Sequence, residues 1–283
     1  MMQKGEIKKL KDVSFRIMVD VLDMTTEAGS GHPGGSLSSK DIVTVLFFNM
    51  MKHNPSNPQW EERDRLILSK GHAAPVLYAA LAEAGYIEKS ELIKLRKFGS
   101  ILQGHPEWNP GLMIEATTGS LGNGLAIGNG IAIAGKLDNR NYSVYVLMGD
   151  GELQEGTVWE AAMFASHNKL DNVIAIVDRN GLQQTGATEQ TVSIEPLSDK
   201  WKSFGWEVLE VDGHDICKLA EAFEKAKNIT GKPKAIIAHT TKGKGSVIGE
   251  WVAEFHGKPM SKEELEKVLP MLYEQHRREM NDS

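Results

Sequence analysis

Two short, almost wholly apolar segments constrain the fold of this chain more than any other feature. Residues 143–148 (Ser-Val-Tyr-Val-Leu-Met) and 173–178 (Val-Ile-Ala-Ile-Val-Asp) each have the length of one strand, and a helical stretch at 158–168 separates them. Strands that are apolar on both faces belong in a sheet covered by helices on both sides. Strands and helices go on alternating over residues 206–238. The sequence therefore predicts an α/β fold, with a doubly wound, mostly parallel sheet and helices on both faces.

The N-terminal half is predicted to be mainly helical. Apolar residues recur at three- and four-residue steps over residues 6–28, which indicates an amphipathic helix. A strand is predicted at 65–69, and further helices are predicted at 38–51, 73–84, 90–98, 119–135 and 261–277. No repeat or long linker divides the sequence, so we expect one domain over residues 1–283.

Composition excludes several classes of protein. The 283 residues carry 32 basic and 38 acidic side chains, a net charge of −6, which argues against a general nucleic-acid binder. The only cysteine, Cys217, cannot form an intrachain disulfide, which fits a reducing, cytoplasmic setting. No apolar run approaches the 18 or so residues of a membrane span, so no membrane partner is expected.

An aspartate between two glycines follows the first apolar strand. Asp150 lies between Gly149 and Gly151, and Asn180 follows the next strand after a further 28 residues. Ligands of open parallel sheets bind beyond the carboxyl ends of strands, and Mg²⁺ takes oxygen ligands such as these. Each residue alone is a common turn former. Together, at the ends of successive strands, they favour a divalent-cation site.

Two glycine-rich segments are candidates for phosphate binding. Residues 119–124 (Gly-Ser-Leu-Gly-Asn-Gly) open a predicted helix, where free backbone N–H groups suit an anion. Their spacing matches neither the dinucleotide fingerprint nor the Walker loop, and close helix packing through small residues explains them equally well. Lys242 and Lys244 lie on a second glycine-rich loop after a strand, which is either a phosphate contact or a solvated basic turn.

Four of the nine histidines lie in loops marked by glycine or proline, namely His32, His72, His105 and His256. A single loop histidine is most often a surface residue, but four in this context suggest proton transfer and hydrogen bonding to hydroxyl groups. No His-x-x-x-His pair occurs, and the one thiol is isolated, so a zinc site is not expected.

These segments together resemble transketolase. The matching segments, in chain order from about residue 15 to 260, are 30–34 (Ser-Gly-His-Pro-Gly), 64–72, 104–107 (Gly-His-Pro-Glu), 118–122, 149–156 (Gly-Asp-Gly-Glu-Leu-Gln-Glu-Gly), 242–245 and 255–259. The resemblance implies the thiamine diphosphate-binding fold. It extends only to the N-terminal, diphosphate-binding part of that family, whose pyrimidine-binding domain has no counterpart here. The chain thus looks like the N-terminal subunit of a split transketolase.

The resemblance also implies a cofactor and its ligands. Thiamine diphosphate would be held with Mg²⁺ or Ca²⁺, through the side chains of Asp150 and Asn180 and the backbone oxygen of Leu182. The implied cofactor contacts are His72, Gly119, Ser120, Leu121, Gly151, Glu152, Asn180, Gln184 and Lys242. As catalytic residues, His32 and His256 would take the proton from the substrate hydroxyl, and His105 would bond the C1 hydroxyl of the donor. Glu155 and Glu160 match acidic positions near the dimer interface.

The function implied is transfer of a two-carbon ketol unit from a ketose phosphate to an aldose phosphate, in the pentose phosphate pathway. A partner chain with the pyrimidine-binding domain would complete the enzyme, with two copies of each chain in a heterotetramer. Two alternatives stay open: another thiamine diphosphate enzyme component, like deoxyxylulose phosphate synthase or a 2-oxo acid dehydrogenase, or a non-catalytic cofactor-binding homologue. The set of His32, His105 and His256 favours transketolase over decarboxylating relatives.

Overall fold

The computed structural model describes residues 2–282, so Met1 and Ser283 of the predicted domain lie outside the described residues. Its centre is a five-stranded, all-parallel sheet. The strands are β1 (Arg65–Leu68), β2 (Val144–Gly149), β3 (Val173–Arg179), β6 (Glu207–Asp212) and β7 (Lys234–His239). Their order in the sheet is β1-β2-β3-β7-β6. Between β3 and β6, a short antiparallel hairpin pairs β4 (Leu182–Gln183) with β5 (Gly186–Ala187).

Ten α-helices occur in the described part of the chain. They are α1 (Lys4–Ala28), α2 (Pro33–Ser38), α3 (Lys40–Val45), α4 (Ala74–Glu83), α5 (Asn123–Leu137), α6 (Gly156–His167), α7 (Thr188–Thr191), α8 (Leu197–Ser203), α9 (Ile216–Asn228) and α10 (Lys262–Asp282). Short 3₁₀ turns lie at Gly71–Ala73, Lys89–Lys94, Pro110–Leu112, Gly151–Gln154 and Ala253–His256, and Leu46–Met50 forms a π-helical turn. No helix within residues 2–282 is long and apolar enough to cross a membrane.

Successive residues of each central strand enter two different cores. In β2, Tyr145 and Leu147 pack into one core with α1, α3, α4, α9 and α10. Val144 and Val146 pack into the other, with α5, α6 and α8. Because both faces of the strand are buried, its residues are apolar at every position. The predicted doubly wound α/β fold is therefore confirmed.

Two predicted helices are irregular in the structure. The helix expected at 38–51 is broken: α2 ends at Ser38, α3 begins at Lys40, and the last turn is π-helical. The Ser39 hydroxyl at this break donates to the carbonyl of Gly35 (2.9 Å). The helix expected at 90–98 is only the 3₁₀ turn Lys89–Lys94, because Leu95 leaves the helical region and Arg96 adopts a left-handed conformation (φ 60°).

The sheet brings the ends of four neighbouring strands to one edge. Lys70, Asp150, Asn180 and Lys242 lie just beyond β1, β2, β3 and β7, which are adjacent in the sheet. The register pairs Gly149 with Asp178, so the turns after β2 and β3 start side by side. The predicted proximity of the two oxygen-bearing turns is thus a direct result of strand order.

Candidate active site

A cavity of about 430 Å³ opens at this edge of the sheet. The predicted site residues that line it are His32, His72, His105, Leu121, Asp150, Gly151, Glu152, Asn180, Leu182, Gln184, Lys242 and His256. Gly119 and Ser120 are not among the lining residues. Gly119 lies behind His105, since a Cβ there would lie 3.3 Å from Cδ2 of that ring. Ser120 is exposed, and its carbonyl accepts a hydrogen bond from Asn123.

The two carboxylate oxygens of Asp150 have unequal surroundings. Oδ2 accepts hydrogen bonds from the backbone N–H of Gly181 (2.6 Å), from the Arg179 guanidinium (2.9 Å) and from the Thr188 hydroxyl (3.4 Å). Among the described residues, Oδ1 accepts only from the backbone N–H of Gly151 (2.8 Å). Burial, together with the nearby charge of Asp178, raises the pKa of Asp150. Oδ1 is therefore the oxygen with a lone pair to spare for a cation.

The Asn180 amide is held in a defined orientation. Its Nδ2 donates to Oδ2 of Asp178 (2.9 Å), and its Oδ1 accepts from the backbone N–H of Leu182 (3.1 Å). The carbonyl of Leu182 accepts from the Lys242 ammonium (2.7 Å), and burial lowers the pKa of that lysine to about 8. A backbone carbonyl that already holds a cationic group can hold a metal ion in its place.

The donor set fits a hard divalent cation. It offers one carboxylate oxygen, one amide oxygen and one backbone carbonyl oxygen, and Mg²⁺ prefers oxygen ligands that it shares with phosphates and water. Within residues 2–282 there is no group of three or more His, Cys, Asp or Glu side chains that could hold a metal ion. A metal at this edge would therefore depend on amide and backbone oxygens, as the resemblance implies, and on oxygens of the ligand.

Below the Asn180 turn lies a buried ion pair. The Lys70 ammonium donates to Oδ2 of Asp178 (2.5 Å) and to the carbonyl of Gly35 (2.8 Å). Asp178 also accepts hydrogen bonds from Ser38 (2.6 Å) and from Thr240. Burial alone would raise the pKa of Asp178, but the Lys70 ammonium and these hydrogen bonds hold it below its usual value. The pair links the ends of β1 and β3 and fixes the side chain that orients Asn180.

Glu152 supports the site from within the chain. Its Oε1 accepts from the Ser69 hydroxyl and from the backbone N–H of Gly122 (2.9 Å), and its Oε2 accepts from the N–H of Gly149 (3.1 Å). Gly122 is left-handed (φ 86°), and a side chain there would overlap Thr157. Glu152 therefore holds the turn before α5, which belongs to the predicted phosphate-binding segment 119–124, against the end of β2, which precedes the predicted metal ligand Asp150.

The four loop histidines form one cluster. The ring centre of His32 lies 5.3 Å from that of His72, 5.5 Å from that of His256 and 6.4 Å from that of His105. Burial lowers the pKa of His32 to about 4, that of His256 to about 3 and that of His72 to about 2. The cluster is therefore neutral at physiological pH. Nδ1 of His256 is buried and has no hydrogen-bond partner in the described part of the chain.

Sequence reasoning missed two arginines beside the site. Arg179 is bonded to Asp150, and it also contacts Glu189 and Glu195. Arg96 contacts Ser30 and His32. Arg179 could have been found from the sequence, because it is the last residue of a buried strand that leads into the site. No signal marked Arg96, which is 64 residues away from His32 in the sequence.

The family profile described as "Transketolase, thiamine diphosphate binding domain" matches residues 10–275 of the chain. The chain belongs to the transketolase family. It is 43% identical to transketolase of Pongo abelii over 271 residues, which are 95% of this chain and 43% of the relative. It is 42% identical over 250 residues to an apulose-4-phosphate transketolase subunit of Phocaeicola vulgatus, with 88% of each chain covered.

A solved transketolase structure has the same fold as this chain. Transketolase of Campylobacter jejuni superposes with a TM-score of 0.85 at 35% identity, over 96% of this chain and 43% of that one. This transketolase-family chain thus spans less than half the length of the Pongo abelii and Campylobacter jejuni proteins. It matches the Phocaeicola vulgatus relative over most of both chains. These relatives support the transketolase interpretation over the other thiamine diphosphate enzymes.

Proposed function

We propose that residues 1–283 form the thiamine diphosphate-binding domain of a split transketolase, which transfers a two-carbon ketol unit between sugar phosphates. The observation that carries the proposal is one cavity in which four neutral histidines face the oxygen ligands beyond β2 and β3. Proton exchange with sugar hydroxyls needs the first group, and a metal-bridged diphosphate needs the second.

Thiamine diphosphate and Mg²⁺ are the proposed cofactors, with Ca²⁺ as an alternative metal. Asp150 through Oδ1, Asn180 through its amide oxygen and Leu182 through its carbonyl would bind the metal, once the Lys242 ammonium has left that carbonyl. The backbone of Gly151, with His72, Leu121, Gln184 and the Gly119–Ser120 turn, would contact the cofactor. When bound, thiamine diphosphate supplies the ring that stabilises the two-carbon carbanion.

The histidines would exchange protons with the sugar. His256 lines the cavity and is unprotonated at neutral pH, so it would accept the proton of a substrate hydroxyl. His32 would face the same hydroxyl, and His105 would hydrogen-bond the C1 hydroxyl of the donor. All three line the cavity.

The remaining half of the site would come from a partner chain with a pyrimidine-binding domain, in a heterotetramer of two copies of each. The relative from Phocaeicola vulgatus is named as one subunit of a transketolase, which supports a partner chain here as well. Glu155 and Glu160 would lie near the interface. The donor would be a ketose phosphate, and the enzyme would work in the cytoplasm on intermediates of the pentose phosphate pathway or a related sugar phosphate pathway.

Reconstitution tests this proposal. The chain is mixed with the product of a candidate partner gene, thiamine diphosphate and Mg²⁺, and transfer is assayed with xylulose 5-phosphate or apulose 4-phosphate as donor and ribose 5-phosphate as acceptor. We expect transfer only when both chains are present. Full activity of this chain alone would refute the split enzyme. A mixed complex that binds cofactor yet transfers no two-carbon unit from either donor would refute the transketolase activity.

A further inference from the structure

Arg96 contacts one ring nitrogen of His32. Its Nη2 lies 3.3 Å from Nδ1 of His32, and its Nη1 donates to the Ser30 hydroxyl (2.7 Å). The backbone N–H of Arg96 donates to the carbonyl of Leu102 (2.8 Å), and a Cβ on Gly104 would lie 3.0 Å from the guanidinium. Backbone pairing on one side and a glycine on the other thus hold the guanidinium against the imidazole.

The chemistry of the pair decides where the imidazole proton lies. A guanidinium has only donors, so Nδ1 of His32 must accept the hydrogen bond. The neutral imidazole has one N–H, and when Nδ1 accepts, that hydrogen lies on Nε2. Burial and the charge of Arg96 both disfavour a second proton on the ring by lowering the pKa of His32. His32 is therefore held as one of its two neutral tautomers.

The protonated nitrogen, Nε2, lies on the edge of the ring away from Arg96. His32 lines the cavity. The hydrogen bond of its ring to residues 2–282 is the one between Nδ1 and Arg96. Near the ring lie the backbone of Gly257, where a Cβ would lie 3.8 Å from Nε2, and the neutral rings of His72 and His256. None of these takes the proton in the geometry observed, so the N–H is available to a ligand in the cavity.

We propose that Arg96 is a positioning residue that fixes His32 as the Nε2–H tautomer, so that His32 donates a hydrogen bond to an oxygen of the sugar substrate instead of accepting its proton. Proton acceptance is then left to His256, which lines the same cavity. The second half of the inference rests on the proposed transketolase function, whereas the tautomer does not. It divides between two residues the role that the resemblance assigns to both.

The tautomer can be measured directly on the chain with ¹⁵N-labelled histidine. Two-bond ¹⁵N–¹H correlation spectra at pH 7 distinguish the two neutral forms, and the His32→Gln spectrum assigns the His32 signals. We expect Nε2–H in the wild-type chain and a mixture of both tautomers in Arg96→Met. Arg96→Lys keeps a donor and restores Nε2–H. Ser30→Ala, which removes only the other partner of the guanidinium, leaves the tautomer unchanged.

In the reconstituted enzyme, Arg96→Met should lower kcat/KM for the donor about tenfold, and Arg96→Lys should recover most of that loss. A proton on Nδ1 of wild-type His32, or an unchanged tautomer in Arg96→Met, overturns the inference while transketolase activity stands. A shifted tautomer with unchanged kinetics overturns the substrate contact of His32. Absence of transfer in the wild-type complex refutes the proposed function and leaves the tautomer result valid.

Discussion

Two aspartates buried at the base of the cavity are each paired with a basic side chain. Asp178 is paired with Lys70, and Asp150 is bonded to Arg179 through Oδ2. An unpaired buried charge would cost several kcal/mol, so these pairs are required once the aspartates are there. Arg179 also occupies the oxygen that would otherwise allow Asp150 to bind a metal with both oxygens. The arrangement favours one-oxygen coordination, which suits the octahedral preference of Mg²⁺.

Asp150→Asn should strongly weaken metal-dependent cofactor binding. The amide keeps the size of the side chain but removes the charge that a divalent ion needs, while Arg179 retains Glu189 and Glu195 as partners, so the fold should survive. We expect the affinity for thiamine diphosphate in the presence of Mg²⁺ to fall at least about tenfold. Calorimetric titration of each protein with thiamine diphosphate, once with Mg²⁺ and once with EDTA, measures this affinity.

The control for this substitution is Asp199→Asn, which removes the same charge at an exposed site on α8. It should bind cofactor as the wild-type chain does. If Asp150→Asn keeps the full difference between Mg²⁺ and EDTA, the assignment of Asp150 as a metal ligand is wrong.

At the scale of elements, regular structure followed from apolar periodicity and irregular structure did not. The strands β2 and β3 were predictable because burial on both faces makes every position apolar. The helix α8 was missed because only Leu197 and Trp201 of its seven residues are buried. The clustering of the histidines followed from the resemblance, whereas the contact between Arg96 and His32 depends on how two distant loops meet, which no local pattern encodes.

The start of helix α5 can be tested with two glycines of the same helix. A Cβ on Gly124 would overlap the side chain of Ser69, whose hydroxyl donates to Glu152, whereas a Cβ on Gly130 meets nothing within 4 Å. Gly124→Ala should lower the free energy of unfolding by about 1–3 kcal/mol, as overpacking does. Gly130→Ala should raise it by about 0.5–1 kcal/mol, because alanine favours a helix. Urea denaturation measures both.

The same two variants also show whether the start of α5 affects cofactor binding. Gly124→Ala should also weaken cofactor binding, because Ser69 and Glu152 hold the turn at Gly122. Gly130→Ala should leave binding unchanged. Equal stability of the two variants would mean that α5 does not depend on its close approach to the end of β1.

For the whole molecule, the histidines of the site make the stability of the fold depend on pH. Four neutral histidines lie around the cavity, and burial lowers the pKa of each. The unfolded chain exposes them with pKa values near 6.5. Between that pH and the folded values, the unfolded state binds more protons, so each histidine makes folding less favourable as the pH falls. The cluster thus costs stability in acid, which is a consequence of keeping it neutral for proton exchange.

His72→Gln should make stability less sensitive to acid. Burial lowers the pKa of His72 from 6.5 to about 2, so its contribution is complete above pH 6.5 and is lost as the pH falls below it, by up to about 1.4 kcal/mol per pH unit. Glutamine takes no proton, so the free energy of unfolding of the variant should fall less steeply than that of the wild-type chain between pH 6.5 and 4.5.

Burial raises the pKa of Asp20 to about 6, so the folded chain takes up a proton there and gains stability as the pH falls. This effect is the same in both proteins and does not alter the difference between their slopes. Urea denaturation of both proteins across this range gives the two slopes. Parallel curves for His72→Gln and wild type would mean that His72 is protonated as readily in the folded chain as in the unfolded one.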